Sequence, residues 1–288
     1  MLRILFIILA TSFAMYSRAG VPETTGVSGG KKNNEFMVGF KVGINFTQPI
    51  VFQKFNILSP VDQAVNQSGT KTYRLFYRNP GYQYAFTVLY KLTDKIDIRL
   101  EPTFSTYNYF YNTSFFWENS GANSERIDML MLHKQSVKYI ELPLTMRWLV
   151  GSGKLRPFTQ GGVFLGVLQN AIKTANRTET YTNALGTSTL NAETISGGAA
   201  DLYRKMRFGI NGGVGLDYEI NSIHITLDIN LNMGFNTVSA NSSRYSMQQY
   251  TGGLYDVQDN LKLLVPSINL GVLIPLLKSM GQLKCPTI

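Results

Sequence analysis

In 288 residues the chain has one cysteine, Cys285, and only two histidines, His133 and His224. A lone thiol excludes an internal disulfide framework, and Cys285 reads as an incidental thiol in the tail. No His/Cys cluster with metal-ligand spacing, phosphate-binding glycine loop or nucleophile elbow is present, so no metal site, catalytic residue or cofactor is expected. Charged residues make up just 16% of the chain. The net charge of +9 is scattered rather than gathered in a run, so a nucleic-acid partner is not expected. There is also no internal apolar run of about eighteen residues, which excludes a spanning helix and leaves the barrel as the one way to cross a bilayer.

What is present is glycine and aromatic surface: 26 Gly, 16 Tyr and 17 Phe. Residues 1–19 read as a secretory signal, with Arg3, an apolar run from Ile4 to Ala10, and Ser17-Arg18-Ala19 suited to cleavage before Gly20. Removing Arg3 and Arg18 takes the charge from +9 to +7, because residues 1–19 carry no acid. Residues 20–34 read as a periplasmic leader, 35–277 as the barrel, and 278–288 as a periplasmic tail.

The pattern that decides the fold class is strict alternation. In Val137 to Leu149, Ile140, Leu142, Leu144, Met146 and Trp148 share one face, while Glu141, Thr145 and Arg147 share the other. Phe36 to Thr47 repeats it, with Phe36, Val38, Phe40, Val42 and Ile44 opposed to Lys41, Asn45 and glycines. Further alternating segments are Tyr82 to Leu92, Ile96 to Tyr107, Arg207 to Glu219, Ser222 to Asn236 and about Leu261 to Ile274. Pro157 to Leu168 is the glycine-rich fifth strand, whose facing the pattern leaves open.

Segments without sustained alternation, 48–80, 108–135, 169–204 and 237–260, follow strands one, three, five and seven. Short turns follow strands two, four and six. Long and short connections therefore fall at opposite ends, as in an eight-stranded antiparallel transmembrane β-barrel with four long extracellular loops and short periplasmic turns. A soluble ligand-binding barrel would place its apolar face inside. Here the opposing face is crowded with Gly, Asn, Thr and scattered charges, which suits a small polar lumen inside a lipid-facing wall. The expected location is the outer membrane of a Gram-negative bacterium.

Lys138 to Leu168 carries a resemblance to a known family. The strand Tyr139-Ile140-Glu141-Leu142-Pro143-Leu144, the Gly/Lys turn, Arg156-Pro157-Phe158, Gly161-Gly162 and Leu165-Gly166 resemble the hairpin of the PorT-like outer-membrane β-barrel proteins of the Bacteroidota. The resemblance implies a barrel and, for some members, service to the type IX secretion system. It implies no catalytic residues.

An eight-stranded lumen is narrow enough for side chains to fill. Its expected ion-pair network is Lys41, Lys91, Asp97, Arg99, Glu101, Glu141, Arg147, Arg207, Asp217, His224 and Asp228, with Glu219 on the same face. Lys91 is expected opposite Asp97 as a cross-strand pair. The near-balance of sign favours a plug over a permeation path. His224 with Asp217 opposite is the candidate acid–base pair, weighed against a lumenal hydrogen bond. His133, near Glu125 and Asp128, is read as part of a solvated loop, with a surface cation site as its alternative. Tyr82, Tyr84 and Phe235 at the outer rim, with Tyr90, Trp148 and Tyr218 at the inner one, form the expected aromatic girdles.

The first loop carries Lys54, Lys71, Arg74 and Arg78 against Asp62. The second gathers Tyr109, Phe110, Tyr111, Phe115, Phe116 and Trp117. Outer-membrane lipid and a protein partner, at the extracellular loops or within the membrane, are therefore the expected partners. The functional expectation is a non-enzymatic accessory or structural component of a cell-envelope complex. The alternatives are a surface binding or adhesion barrel and an outer-membrane hydrolase.

Overall fold

The computed structural model describes residues 35–55, 70–74, 79–119, 125–246 and 256–276. The signal and leader readings, residues 1–34, and the tail with Cys285 lie outside these residues. Twelve strands follow in chain order: β1 (Phe36–Asn45), β2 (Gln48–Gln53), β3 (Thr70–Tyr73), β4 (Gly81–Lys91), β5 (Ile96–Leu100), β6 (Thr103–Glu118), β7 (Arg126–Leu149), β8 (Leu155–Asn183), β9 (Gly186–Gly198), β10 (Met206–Ile220), β11 (Ile223–Gly234) and β12 (Asn260–Pro275).

Eight strand positions close into a ring. β1 pairs with β4 on one side and β12 on the other, and the ladder continues through β11, β10, β8 and β7 to β5 and β6, which return it to β4. Closure gives every wall strand two neighbours, so no sheet edge faces lipid. β5 and β6 form one staircase, interrupted at Glu101-Pro102 because proline has no N–H for the ladder. The tight β10–β11 hairpin turns on Asn221 and Ser222, both with positive φ (47° and 80°), the two-residue geometry that matches strand twist.

Along the lower wall, outward positions are apolar and inward ones polar or small. Phe40, Leu144, Val163, Val214, Leu227 and Leu270 are exposed on the outside, whereas Lys41, Arg99, Arg147 and Asp228 are buried inside. This is the inversion of a water-soluble core that a lipid solvent requires. The fifth strand's facing is now defined: within β8, Phe158, Gln160, Phe164 and Gly166 point inward, while Leu155, Val163, Leu165 and Val167 point outward.

Two expected loops are largely strand. β6 and β7 pair from Thr103↔Glu141 to Glu118↔Arg126, so most of 108–135 is a hairpin rather than a loop. β8 runs to Asn183 and pairs with β9, which converts most of 169–204. The segment 48–80 likewise contributes β2, paired with β12, and β3, paired with β6. These extensions rise beyond the apolar belt, where the outside is wet.

Inside, the barrel is layered. Met37, Leu89 and Leu273 form an apolar floor near the short turns. Charged side chains fill the middle, and Tyr107, Tyr109, Tyr111, Tyr139, Tyr203, Leu261, Leu263 and Val265 form a tyrosine-rich upper layer.

Candidate functional site

The middle layer is a set of carboxylates, each held by cations that alternation aims inward. Arg147 on β7 donates from Nε and Nη2 to both oxygens of Asp97 on β5, at 2.7 and 2.8 Å. Its Nη2 also lies 3.5 Å from Asp217 on β10. Asp217 accepts His224 at 2.6 Å through Nδ1, and Arg156 stands 3.8 Å away. Higher in the lumen, Lys41 donates to Glu101 at 2.6 Å and lies 3.5 Å from Asp228. Arg99 bridges the same two carboxylates at 3.0 and 3.7 Å. Glu141 then takes Arg207 at 2.8 Å and the Tyr107 hydroxyl at 2.7 Å.

Aromatic rings fill the space between these groups. The guanidinium groups of Arg99 and Arg147 lie 5.8 and 4.7 Å from the centroid of Phe158. Arg207 lies 5.1 Å from the Tyr107 ring and 4.9 Å from that of Phe164. Buried guanidinium groups persist when carboxylates and ring faces replace their water. A polar cavity of about 30 Å³ remains, lined by Lys41, Gln83, Glu101, Glu141, Asn230 and Asn269 among others. It has room for about one or two waters and no more.

Several pairings differ from the sequence reading. Lys91 does stand in register with Asp97, but Asp97 is also in register with Arg147 on its other side. The two-pronged guanidinium takes the carboxylate, and Lys91 pairs at the rim with Glu35 at 2.6 Å. His224 is in register with Glu219 rather than Asp217, because the turn is Asn221-Ser222; Asp217 reaches His224 diagonally. Glu219 is half-exposed at the rim, 3.9 Å from Arg156. Tyr82, Tyr84, Trp148, Tyr218 and Phe235 are exposed on the outer wall; Tyr90 shares that face and packs against Phe36 with centroids 4.7 Å apart.

Above the apolar belt a second cluster appears that the sequence reading missed. The segment from Asp256 to Asp259, just before β12, is buried at all four positions. Asp256 meets Lys71 at 2.9 Å, Lys173, and the Tyr111 hydroxyl at 2.7 Å. Asp259 takes Lys71 at 3.1 Å and Tyr73 at 2.7 Å. Lys71 also donates to the Val257 carbonyl, so one ammonium holds three residues of the segment.

His133 belongs to this cluster and not to a solvated loop. It is fully buried, stacked on Tyr111 at 4.7 Å, with Nε2 2.6 Å from Thr113 Oγ1 and Nδ1 3.7 Å from Asp256. Asp128, its supposed neighbour, lies outside in a two-pronged pair with Arg126. Lys71, expected as a loop charge, is likewise buried, as are Tyr109 and Tyr111; Trp117 is exposed. Asp62 and Arg78 lie outside the described residues.

Electrostatics in this upper cluster follow from burial and sign. Burial lowers the Lys71 pKa, but Asp256 and Asp259 outweigh it and hold the ammonium above its usual range. Lys173 shifts downward because burial outweighs its attraction to Asp256. Burial would raise Asp256, yet Lys173 and Lys71 hold its carboxyl well below the usual range. Burial drives His133 down to about 4, against the pull of Asp256, so at neutral pH its ring is uncharged.

The cue for this cluster was present: Tyr107, Tyr109, Tyr111 and Thr113 alternate, as do Met131, His133, Gln135 and Val137. Among the described residues no group of three His, Cys, Asp or Glu side chains is arranged to hold a metal ion.

Residues 28–240 match the family model of the outer membrane protein beta-barrel domain. The chain belongs to that family. Its place is accordingly the outer membrane, and lipid surrounds its outward face. A search of curated proteins finds no match. Among solved structures, OprG of Pseudomonas aeruginosa is 12% identical over 85% of this chain and 96% of its own, with a TM-score of 0.37. The E. coli outer membrane protein W is 15% identical over 83% and 96%, with a TM-score of 0.29. Ail, the attachment invasion locus protein of Yersinia pestis, is 10% identical over 83% and 99%, with a TM-score of 0.31. Similarities this distant assign no ligand or activity.

Proposed function

We propose that this outer-membrane barrel is a non-enzymatic accessory or structural component of a cell-envelope complex, acting through its extracellular strands and loops. The resemblance of the Lys138 to Leu168 hairpin to PorT-like proteins makes type IX secretion the specific context proposed. The observation that carries the reading is the filled lumen: among the described residues an apolar floor, paired charges and a tyrosine layer stack through it, and the cavity beside the charges holds about 30 Å³. A barrel without a bore has its outer surfaces left for interaction, and its longest strands, β7 and β8, extend beyond the lipid belt into a sheet with β6 and β9.

The same extracellular sheet favours the second reading, a surface binding or adhesion barrel. Against a hydrolase stands the enclosure of the His224–Asp217 pair among Arg147, Arg156 and the apolar floor.

Two measurements test the proposal. In planar bilayers the purified protein is expected to show no sustained open level, and a stable conductance overturns the sealed-barrel argument. Affinity purification after crosslinking in native membranes is expected to return stoichiometric envelope partners. Recovery of the chain alone, with intact binding of whole cells to host surfaces, moves the assignment to the adhesion barrel.

A further inference from the structure

The two rims of the barrel differ in charge. Just beyond the outer edge of the apolar belt, β7 presents Lys134 and Lys138 outward, both exposed, in line with Ile140 and Leu142. Arg204 and Lys205, also exposed, immediately precede β10, where Met206 and Phe208 belong to the belt. On the other side of the wall, Lys262 on β12 lies 4.8 Å from the centroid of Phe52, an exposed ring on β2. Lys134 is placed in the same manner, 5.9 Å from the centroid of Phe110.

Among the described residues within about six positions of the belt, the one exposed acid at this rim is Asp201, which accepts the Ser246 hydroxyl. The opposite rim is mixed: Glu35, Asp94 and Glu219 stand with Lys91, Lys95, Lys154 and Arg156, and two of those cations are ion-paired.

We infer that the outer rim is a binding surface for the phosphorylated headgroup of a membrane lipid in the outer leaflet. The belt residues below occupy the level of the acyl chains. Ammonium groups directly above them fall at headgroup level, where a phosphate ester is the anion in reach. Stacking against Phe52 and Phe110 holds two of the five cations near the wall, so less side-chain freedom is lost when a phosphate is engaged. The short-turn rim has no comparable excess, so recognition is confined to one leaflet.

The test uses the full-length protein in detergent micelles, incubated with a diphosphorylated glycolipid or with the same lipid after phosphate removal, then washed and assayed for retained lipid. Retention of the phosphorylated form should exceed that of the dephosphorylated form about tenfold and fall as salt is raised. A variant carrying Lys134→Gln, Lys138→Gln, Arg204→Gln, Lys205→Gln and Lys262→Gln should lose that excess. Lys95→Gln with Lys154→Gln, at the opposite rim, should keep it. Heat-modifiable electrophoretic mobility establishes that each variant folds, and Lys134→Gln with Lys138→Gln serves if the fivefold variant does not. Equal retention of the two lipids, or undiminished retention by a folded variant, overturns the inference. So does complete displacement by millimolar inorganic phosphate, which would assign the rim to free anions.

Discussion

Replacing Asp256 by Asn asks whether the segment ahead of β12 is latched into the barrel mouth by charge. In the wild-type protein Asp256 balances Lys173 and Lys71, accepts Tyr111, and lies 3.7 Å from His133. The amide keeps the volume and can still accept from Tyr111, so the perturbation removes the charge alone. Lys71 then retains Asp259 at 3.1 Å, whereas buried Lys173 loses its ion pair with Asp256. Removing one partner of a buried ion pair costs about 3–5 kcal/mol. The cheapest relief is to release the Asp256 to Asp259 segment and let water reach Lys173, because the barrel wall itself is held by backbone ladders on both sides of each strand.

The cost therefore falls on a local opening, and at about 1.4 kcal/mol per factor of ten it corresponds to at least a hundredfold faster exchange of the segment's amides. Hydrogen–deuterium exchange with mass spectrometry on the reconstituted protein reads this directly. Asp256→Asn combined with Lys173→Met should recover most of the protection, since an apolar chain then replaces the ammonium that has lost this carboxylate. Unchanged exchange in Asp256→Asn would refute the latch. Uniformly faster exchange along β7, β8 and β12 would show that the charge supports the whole barrel instead.

The other expectations concern separate layers. Glu141→Gln leaves fully buried Arg207 without its carboxylate and should lower stability by about 3 kcal/mol in urea titrations in micelles; a loss below about 1 kcal/mol would mean that ring stacking suffices. Because the His133 pKa falls from 6.5 unfolded to about 4 folded, its contribution is complete above pH 6.5 and is lost as pH drops towards 4, by about 3 kcal/mol. Equilibrium unfolding between pH 7 and 4 should follow that slope, and His133→Gln should flatten it. Gly39→Ala would drive a Cβ into the Val272 carbonyl on the β1–β12 seam, so the folded fraction by heat-modifiable mobility should drop; full yield would show that the seam relaxes.

The lower wall was legible because lipid outside and polar packing inside impose opposite chemistry on neighbouring residues. Phe40 beside Lys41, and Leu227 beside Asp228, announce their faces without any homologue. Beyond the belt that contrast inverts. Lys134, Ser136 and Lys138 now point outward, while His133, Gln135, Val137 and Tyr139 point inward, and β6 turns tyrosines to the interior. A search for apolar outside and polar inside ends at that level, which is why the sequence alone reads as loop where the chain forms strand. Strand five was ambiguous for a related reason: Phe158 and Phe164 are apolar residues that face the lumen, where they serve guanidinium groups rather than lipid. Pair identity was hidden as well. Asp97 has a cation in register on each side, and choosing Arg147 over Lys91 depends on guanidinium geometry and on Glu35 waiting at the rim.

The same layering argues about where this protein can act. Opening a bore would require moving Arg99, Arg147 and Arg207, each fixed by at least one carboxylate and one ring face, together with Lys41. Their partners sit on different strands, so no single hinge displaces them together. Each released guanidinium would cost several kcal/mol unless water replaced its carboxylate and ring at once. The mouth is different. Its latch joins one short segment to Lys71, Tyr73, Tyr111 and Lys173 through their side chains alone, so it can open without breaking the wall's backbone ladders. On the proposed accessory role, interaction at the mouth and permeation through the lumen are separable, and Asp256→Asn should alter partner capture without producing conductance.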